Sequence, residues 1–250
     1  MLSIVKSGGG LGAVLLAAVL ITGCSGGDEP ATSPADEDTE QLGPAPVVVP
    51  QDDEVDGMSY AEWGVAWWNW AGSFPGDTSP VTDSTGERCD EGQSGKVWFL
   101  AGTTGGRQTR TCAIRADSYT FFPLLNVICP VAEDGVASAT AQCEESLTNA
   151  EVSASVNSTA ILDPPFVISG PFDFRPDPAS WVGSVQGEAV SAGYYLMLEP
   201  LPAGKHTIAF KGTIPDEAAS TTFDTSAPPT QASGPPAGFV IDVLYEITVE

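Results

Sequence analysis

Phe239-Val240-Ile241-Asp242-Val243-Leu244-Tyr245-Glu246-Ile247-Thr248-Val249, at the end of the chain, is the stretch that decides the fold class. Phe239, Ile241, Val243, Tyr245, Ile247 and Val249 alternate with a mixed set that includes Asp242, Glu246 and Thr248. Period two places these sets on opposite faces of an extended strand, one toward a core and one partly wet. Working back, Val152, Ala154 and Val156 alternate with Ser or Asn in the same way. Tyr194–Glu199 and His206–Lys211 are β-prone runs separated by a Pro-x-Pro-x-Gly turn. Lys96–Ala101 and Arg110–Arg115 read as strands joined through Gly-rich Thr103–Arg107, with Gly105-Gly106 as a hairpin turn. Tyr119–Phe122, Phe166–Ile168 and Trp181–Val185 are shorter candidates. Many short strands with Gly/Pro turns predict a mainly β chain, an antiparallel β-sandwich or jelly-roll-like domain.

Two helices interrupt this pattern. Ser59-Tyr60-Ala61-Glu62 reads as a capping box, in which Ser59 and Glu62 satisfy free amides reciprocally. Tyr60, Trp63, Trp67 and Trp70 then fall within one narrow arc of a helix that ends near Gly72. These four are expected in the core, whereas Trp68 lies off the stripe. Gly135–Asn149, rich in Ala, Glu and Gln, predicts a second short helix. Thr213–Ala237 is a low-complexity Ser/Thr/Ala/Pro connection for which disorder is expected.

The chain has 250 residues, with 9 Lys plus Arg against 33 Asp plus Glu and a formal net charge of −24. That balance excludes nucleic acid as a partner, because phosphate binding needs clustered cations. It also excludes adhesion to anionic lipid through a basic patch. The start of the chain suggests another route to a membrane. Lys6 precedes the apolar run Leu11–Thr22, which is too short to span a bilayer, a task for ~20 apolar residues. A basic start, an apolar core and small residues make a secretory signal, expected over 1–23. It stops at Ile21-Thr22-Gly23-Cys24, which resembles the bacterial lipobox. The resemblance implies lipidation of Cys24 with more than one acyl chain, enough for stable anchoring. Ser25 follows Cys24, a neighbour that in enteric bacteria accompanies outer-membrane sorting. Residues 24–58 then read as the lipidated cysteine and a disordered acidic tether. Residues 25–58 hold ten acids, five prolines and no Lys or Arg. Residues 59–250 remain as a single β-rich domain.

Besides Cys24 there are Cys89, Cys112, Cys129 and Cys143. An even remainder in an exported chain predicts two disulfides, and four cysteines allow three pairings. Cys89–Cys112 with Cys129–Cys143 is favoured, because each pair brackets a local excursion of the chain. Zinc ligation would need close pairs such as C-x₂-C, which are absent, so no metal and no cofactor is expected.

Catalytic signatures are sparse. His206 is the single histidine, which excludes any site needing two and leaves a Ser-His-Asp triad without a nucleophile elbow. Asp83, Glu87, Asp90 and Glu91 crowd one loop without EF-hand spacing and read as a solvated acidic loop. The ligand candidates are Trp68 and Trp98, as exposed platforms for a sugar ring, and Asp173 with Arg175, as a polar anchor among aromatics. Against them stand partial burial for Trp68 and a surface ion pair for Asp173–Arg175.

Several strings are shared with a family. They are Trp67-Trp68-Asn69-Trp70, Asp83-Ser84-Thr85-Gly86 running to Cys89, and Gly92-Gln93-Ser94-Gly95 running into Val97-Trp98-Phe99-Leu100. Phe121-Phe122-Pro123, Gly193-Tyr194-Tyr195 and Gly204-Lys205-His206-Thr207-Ile208 complete the set. Through them the chain resembles an uncharacterised family of exported bacterial proteins. The resemblance implies one exported domain and carries no site. The expectation is therefore a lipid-anchored protein of the bacterial cell envelope, at the outer membrane, acting as a non-catalytic module that binds glycan or protein. The alternatives are an envelope polysaccharide hydrolase or lyase using carboxylates and Tyr194 or Tyr195, or a structural lipoprotein without a small ligand.

Overall fold

The computed structural model describes residues 46–215 and 238–250. The expected signal peptide over 1–23, Cys24 and residues 25–45 lie outside the described residues, as does most of the Thr213–Ala237 connection. In chain order the elements are α1 (Tyr60–Gly72), β1 (Val97–Phe99), β2 (Gly106–Ile114), β3 (Tyr119–Pro130), α2 (Val136–Ser146), β4 (Glu151–Val156), β5 (Thr159–Ile161), β6 (Phe166–Ile168), β7 (Phe172–Phe174), β8 (Gly187–Leu198), β9 (Gly204–Ile214) and β10 (Phe239–Val249). The strands form two sheets and the fold is mainly β and sandwich-like, as the alternation predicts. Sheet I runs β1-β3-β8-β6, with β7 also pairing to β8; sheet II runs β2-β10-β9-β4-β5.

The sheets differ in how they are buried. β10 and β9 alternate, so sheet II buries one face and wets the other. β3 and β8 are buried on both faces along most of their length. One face of sheet I packs on sheet II and α2 through Phe122, Leu124, Val190, Leu196, Phe210 and Tyr245. The other packs under α1 through Phe121, Tyr195 and Met197. Pro123 has no amide to donate, and it sits where the β3–β8 register shifts between Pro123 and Leu125. Glycines let neighbours close on this bulge. A Cβ at Gly193 would stand 2.6 Å from the Asn126 Cβ, and one at Gly212 2.6 Å from the Leu124 carbonyl oxygen.

The capping box forms. The Ser59 amide and hydroxyl both donate to Glu62 Oε2 at 2.8 Å, and the Glu62 amide donates back to Ser59 Oγ. Burying tryptophan also buries an N–H, and each stripe indole finds a carbonyl on a different segment. Trp63 donates to Val55, Trp67 to Leu100 and Trp70 to Glu91, at 2.9–3.0 Å. The disulfides are Cys89–Cys112, which pins the loop before β1 to β2, and Cys129–Cys143, which pins α2 to β3.

Tyr194–Glu199 and His206–Lys211, separated by the Pro-x-Pro-x-Gly turn, enter different sheets. Three expectations change. Gly105-Gly106 is not a hairpin turn: β1 pairs parallel with β3, and β2 pairs parallel with β10, so the chain crosses from one sheet to the other there. Trp181–Val185 forms turns, because Trp181 gives its N–H to Ala71 and stacks on Trp68 instead of joining a ladder. The tether's last part, residues 46–58, packs against sheet I. Val48 bridges to Leu198, the Val49 amide donates to Met197, and Val49 and Val55 are buried. Averaged composition over 25–58 conceals the Val47-Val48-Val49 run, which extends the ladder along β8.

Tyr60 locks that segment, donating its hydroxyl to the Val49 carbonyl at 2.6 Å and accepting from the Met197 amide at 3.1 Å. A chain starting at Ser59 loses two buried valines and leaves these groups unpaired. Urea denaturation should show a loss of about 3 kcal/mol or more relative to the chain starting at residue 46; an unmoved midpoint would mean the segment only rests on the surface.

Candidate functional site

Because α1 turns its aromatics toward sheet I, Ala61, Glu62, Val65, Ala66 and Asn69 fall together on another arc. They form one wall of an open groove, with Met58 at its end. Gly170, Pro171 and Phe172, between β6 and β7, form the opposite wall. The groove measures about 550 Å³, within the range of small-ligand sites, and its lining is mainly apolar. Its one ionisable lining residue is Glu62, whose carboxyl is held below the usual range by the Ser59 backbone and side-chain hydrogen bonds. A smaller cavity of about 260 Å³ lies where the chain enters, between Pro46, Val48, Pro165 and Leu196. Leu162, 79% exposed, also lines it.

Beneath α1 a polar cluster interrupts the core. The Tyr195 ring stacks on Phe121, centroids 5.3 Å apart, and its hydroxyl accepts from Asn126 Nδ2 at 3.3 Å. The Ser191 hydroxyl and the Trp68 indole N–H lie near the same oxygen, and the Trp68 N–H makes no bond of good geometry. The Ser169 hydroxyl accepts from the Ser191 amide at 2.8 Å. Burial pushes Tyr195 up to about 12, against the pull of Asn126, Trp68 and Ser191. Burial likewise pushes Tyr60 up to about 12, against the Met197 amide.

A second polar centre ties the sheets. Arg110 is 1% exposed, in phase with inward-facing Cys112 and Ile114. Its Nη1 donates to the Ala101 and Gly102 carbonyls and to the Tyr245 hydroxyl at 2.8–2.9 Å, and Nη2 donates to Val81 at 3.1 Å. Burial raises the Tyr245 pKa, opposed by the Arg110 charge. Burial works against Asp83 ionising, but the Thr85 and Arg88 amides, the Thr85 hydroxyl and the Arg110 charge outweigh it and hold its pKa low. This centre joins the loop before β1, the β1–β2 crossing and β10, and it faces no cavity described above.

The residues singled out from the sequence do not gather here. Trp68 is 4% exposed, wedged edge-on to Trp67 and Phe174 and stacked on Trp181, so it offers no platform. Trp98 is 5% exposed on the other face of sheet I, under the Arg115 guanidinium at 5.6 Å. Both indoles are consumed by core packing that their sequence neighbours do not reveal. Asp173 and Arg175 pair with each other at 2.6 Å, both exposed, outside the groove that neighbouring Phe172 lines. Tyr194 packs its ring on Phe166 from the other face and is half-buried, and Tyr195 is closed in, so Tyr195 presents no hydroxyl to a polysaccharide.

His206 is buried with both ring nitrogens engaged, Nδ1 with Asn157 Nδ2 at 3.0 Å and Nε2 with the Pro202 carbonyl at 2.8 Å. Asp83 spends its carboxylate on the Thr85 and Arg88 amides of its own loop. Among the described residues no carboxylate is buried, and no three Cys, His, Asp or Glu converge as metal ligands. The groove itself went unread in the sequence, although its signal was present: 61, 62, 65, 66 and 69 share an arc and carry small or polar side chains.

No protein-family model matches the chain, and no curated protein matches it.

Two predictions follow from the buried polar groups. A tyrosine pKa raised by folding means that stability is intact below pH 10 and falls as pH rises from about 10 to 12. Melting temperature measured over that window should drop, and Tyr195→Phe should make the drop shallower by the titration of one group, about 2 kcal/mol; an identical slope would show that Tyr195 does not titrate with unfolding. Arg110→Met leaves the Gly102 and Val81 carbonyls without their donor, while Ala101 keeps the Tyr245 hydroxyl at 3.0 Å. Denaturation should register a loss of about 3 kcal/mol, and a neutral result would show that water replaces the guanidinium.

Proposed function

We propose that this chain is an exported lipoprotein, held at the cell envelope through Cys24, whose β-sandwich is a non-catalytic binding module for an envelope protein. The observation that carries the reading is the open apolar groove beside α1, which has a hydrophobic lining and no group poised for acid–base or nucleophilic work. The Ile21-Thr22-Gly23-Cys24 string supports the anchor. Two disulfides support export, since such bonds persist in oxidising compartments. Burial of Trp68 and Trp98 withdraws support from a sugar platform, so protein is favoured over glycan. The carboxylates among the described residues are all at least partly exposed, and the groove lining holds a single one, Glu62, where glycoside hydrolysis uses a pair, which favours the binding reading over hydrolase or lyase.

Fractionation tests the anchor. Cys24→Ala should move the protein from membranes to the soluble fraction; retention on membranes would refute it. The soluble variant then serves for binding. It should bind envelope protein and leave a glycan array blank. Glycan binding would reassign the ligand, and turnover of a polysaccharide would overturn the non-catalytic reading.

A further inference from the structure

We propose that the groove between α1 and Gly170–Phe172 receives a cationic amphipathic helix of a partner protein; this rests on the binding-module reading and names the partner's chemistry. The apolar wall of Met58, Ala61, Val65 and Ala66 follows one arc of α1 and faces Phe172. From 58 to 69 that wall is about 16 Å long, or three turns of a docked helix presenting apolar side chains at i, i+3/i+4 and i+7.

Charge selects the occupant. Glu62 stands in the groove wall, charged through its Ser59 hydrogen bonds. Asp52, Asp53 and Glu54 are exposed in the turn that leads into Met58, and none of them forms an ion pair. Among the described residues no Lys or Arg lines the groove. A partner with Lys or Arg flanking its apolar stripe meets these four carboxylates, which steer encounter and fix orientation. The same charges disfavour the other occupants. Residues 25–45 and 216–237 of this chain contain acids and no Lys or Arg. A second copy brings its own excess of acids, and an anionic membrane surface is repelled in the same way.

The test uses full-length mature protein carrying Cys24→Ala, with a labelled Leu/Lys amphipathic helical peptide and its Leu/Glu counterpart as probes. Fluorescence anisotropy should show the Leu/Lys peptide binding at least tenfold tighter, with affinity falling as salt rises. Val65→Arg, which places a cation in the apolar wall, should weaken binding tenfold or more. Ala66→Lys is the second variant should Val65→Arg alter the melting curve. Asp52→Asn with Asp53→Asn and Glu54→Gln should weaken binding about fivefold without moving the melting temperature. Glu144→Gln with Glu145→Gln, exposed at the end of α2, should leave it unchanged. Equal binding by the groove variants, or an equal effect of the α2 neutralisation, would show general attraction to an acidic surface and overturn the site. A dimer dispersed by Val65→Arg would give the groove to a second copy and also overturn it. An envelope ligand bound with equal strength by Val65→Arg would overturn the groove while the binding-module reading stands; absence of any ligand would remove both.

Discussion

The β3–β8 ladder is buried on both faces, and the rest of the architecture answers that constraint. A strand pair with apolar residues on both sides needs two covers. Sheet II, amphipathic by alternation, supplies one, with α2 filling in beside Cys129 and Val190. On the other side the cover is a single helix, and this explains why α1 is so aromatic. Four large rings, Tyr60, Trp67, Trp68 and Trp70, bury the most apolar surface that one turn-limited element can deliver. The polar atoms of Tyr60, Trp67 and Trp70 are satisfied by carbonyls at Val49, Leu100 and Glu91, on segments with no regular structure of their own, while the Trp68 N–H makes no bond of good geometry. The helix thereby orders the loops around it as well as the sheet beneath.

A helix is about 10 Å wide, whereas strands repeat every 4.8 Å or so, and sheet I carries five of them. One helix is too narrow to roof that sheet. Residues 46–58 cover one side, and Phe172–Phe174 with Trp181 cover another. The gap between α1 and the β6–β7 connection is the groove. Its apolar character has the same origin as the core's, since it is the part of the cover that the described residues leave without a neighbour. Arg110 works between the two apolar clusters, where one guanidinium joins four backbone and side-chain oxygens that belong to three separate segments.

Much of this was legible locally. The Ser59–Glu62 box, the alternation of Phe239–Val249 and the loop-bracketing cysteine pairs are short-range signals, and each appears in the structure where the sequence puts it, whereas the aromatic arc holds for Tyr60, Trp67 and Trp70 while Trp63 is only half-buried. The candidate site was not legible in this way. Trp68 lies off the helical stripe and Trp98 in a short strand, and each is buried by distant packing, Trp68 against Trp181 more than a hundred positions away and Trp98 within the core between the sheets. Asp173 and Arg175 are adjacent in strand phase, and nearness in sequence was enough to pair them with each other.

By itself the sequence determined the fold class, the two helices and the acidity of the chain, and it favoured the cysteine pairing that forms, because periodicity, capping and charge act over a few residues or add over all of them. Only the tertiary structure decided that Gly105-Gly106 and the Pro-x-Pro-x-Gly turn carry the chain between sheets, that Val47-Val48-Val49 belongs to the folded body, that the tryptophans are interior, and that Ala61, Val65, Ala66 and Phe172 share a groove. Strand partners and covered faces are set by competition among distant segments for the same apolar surface, and no local pattern records who wins it.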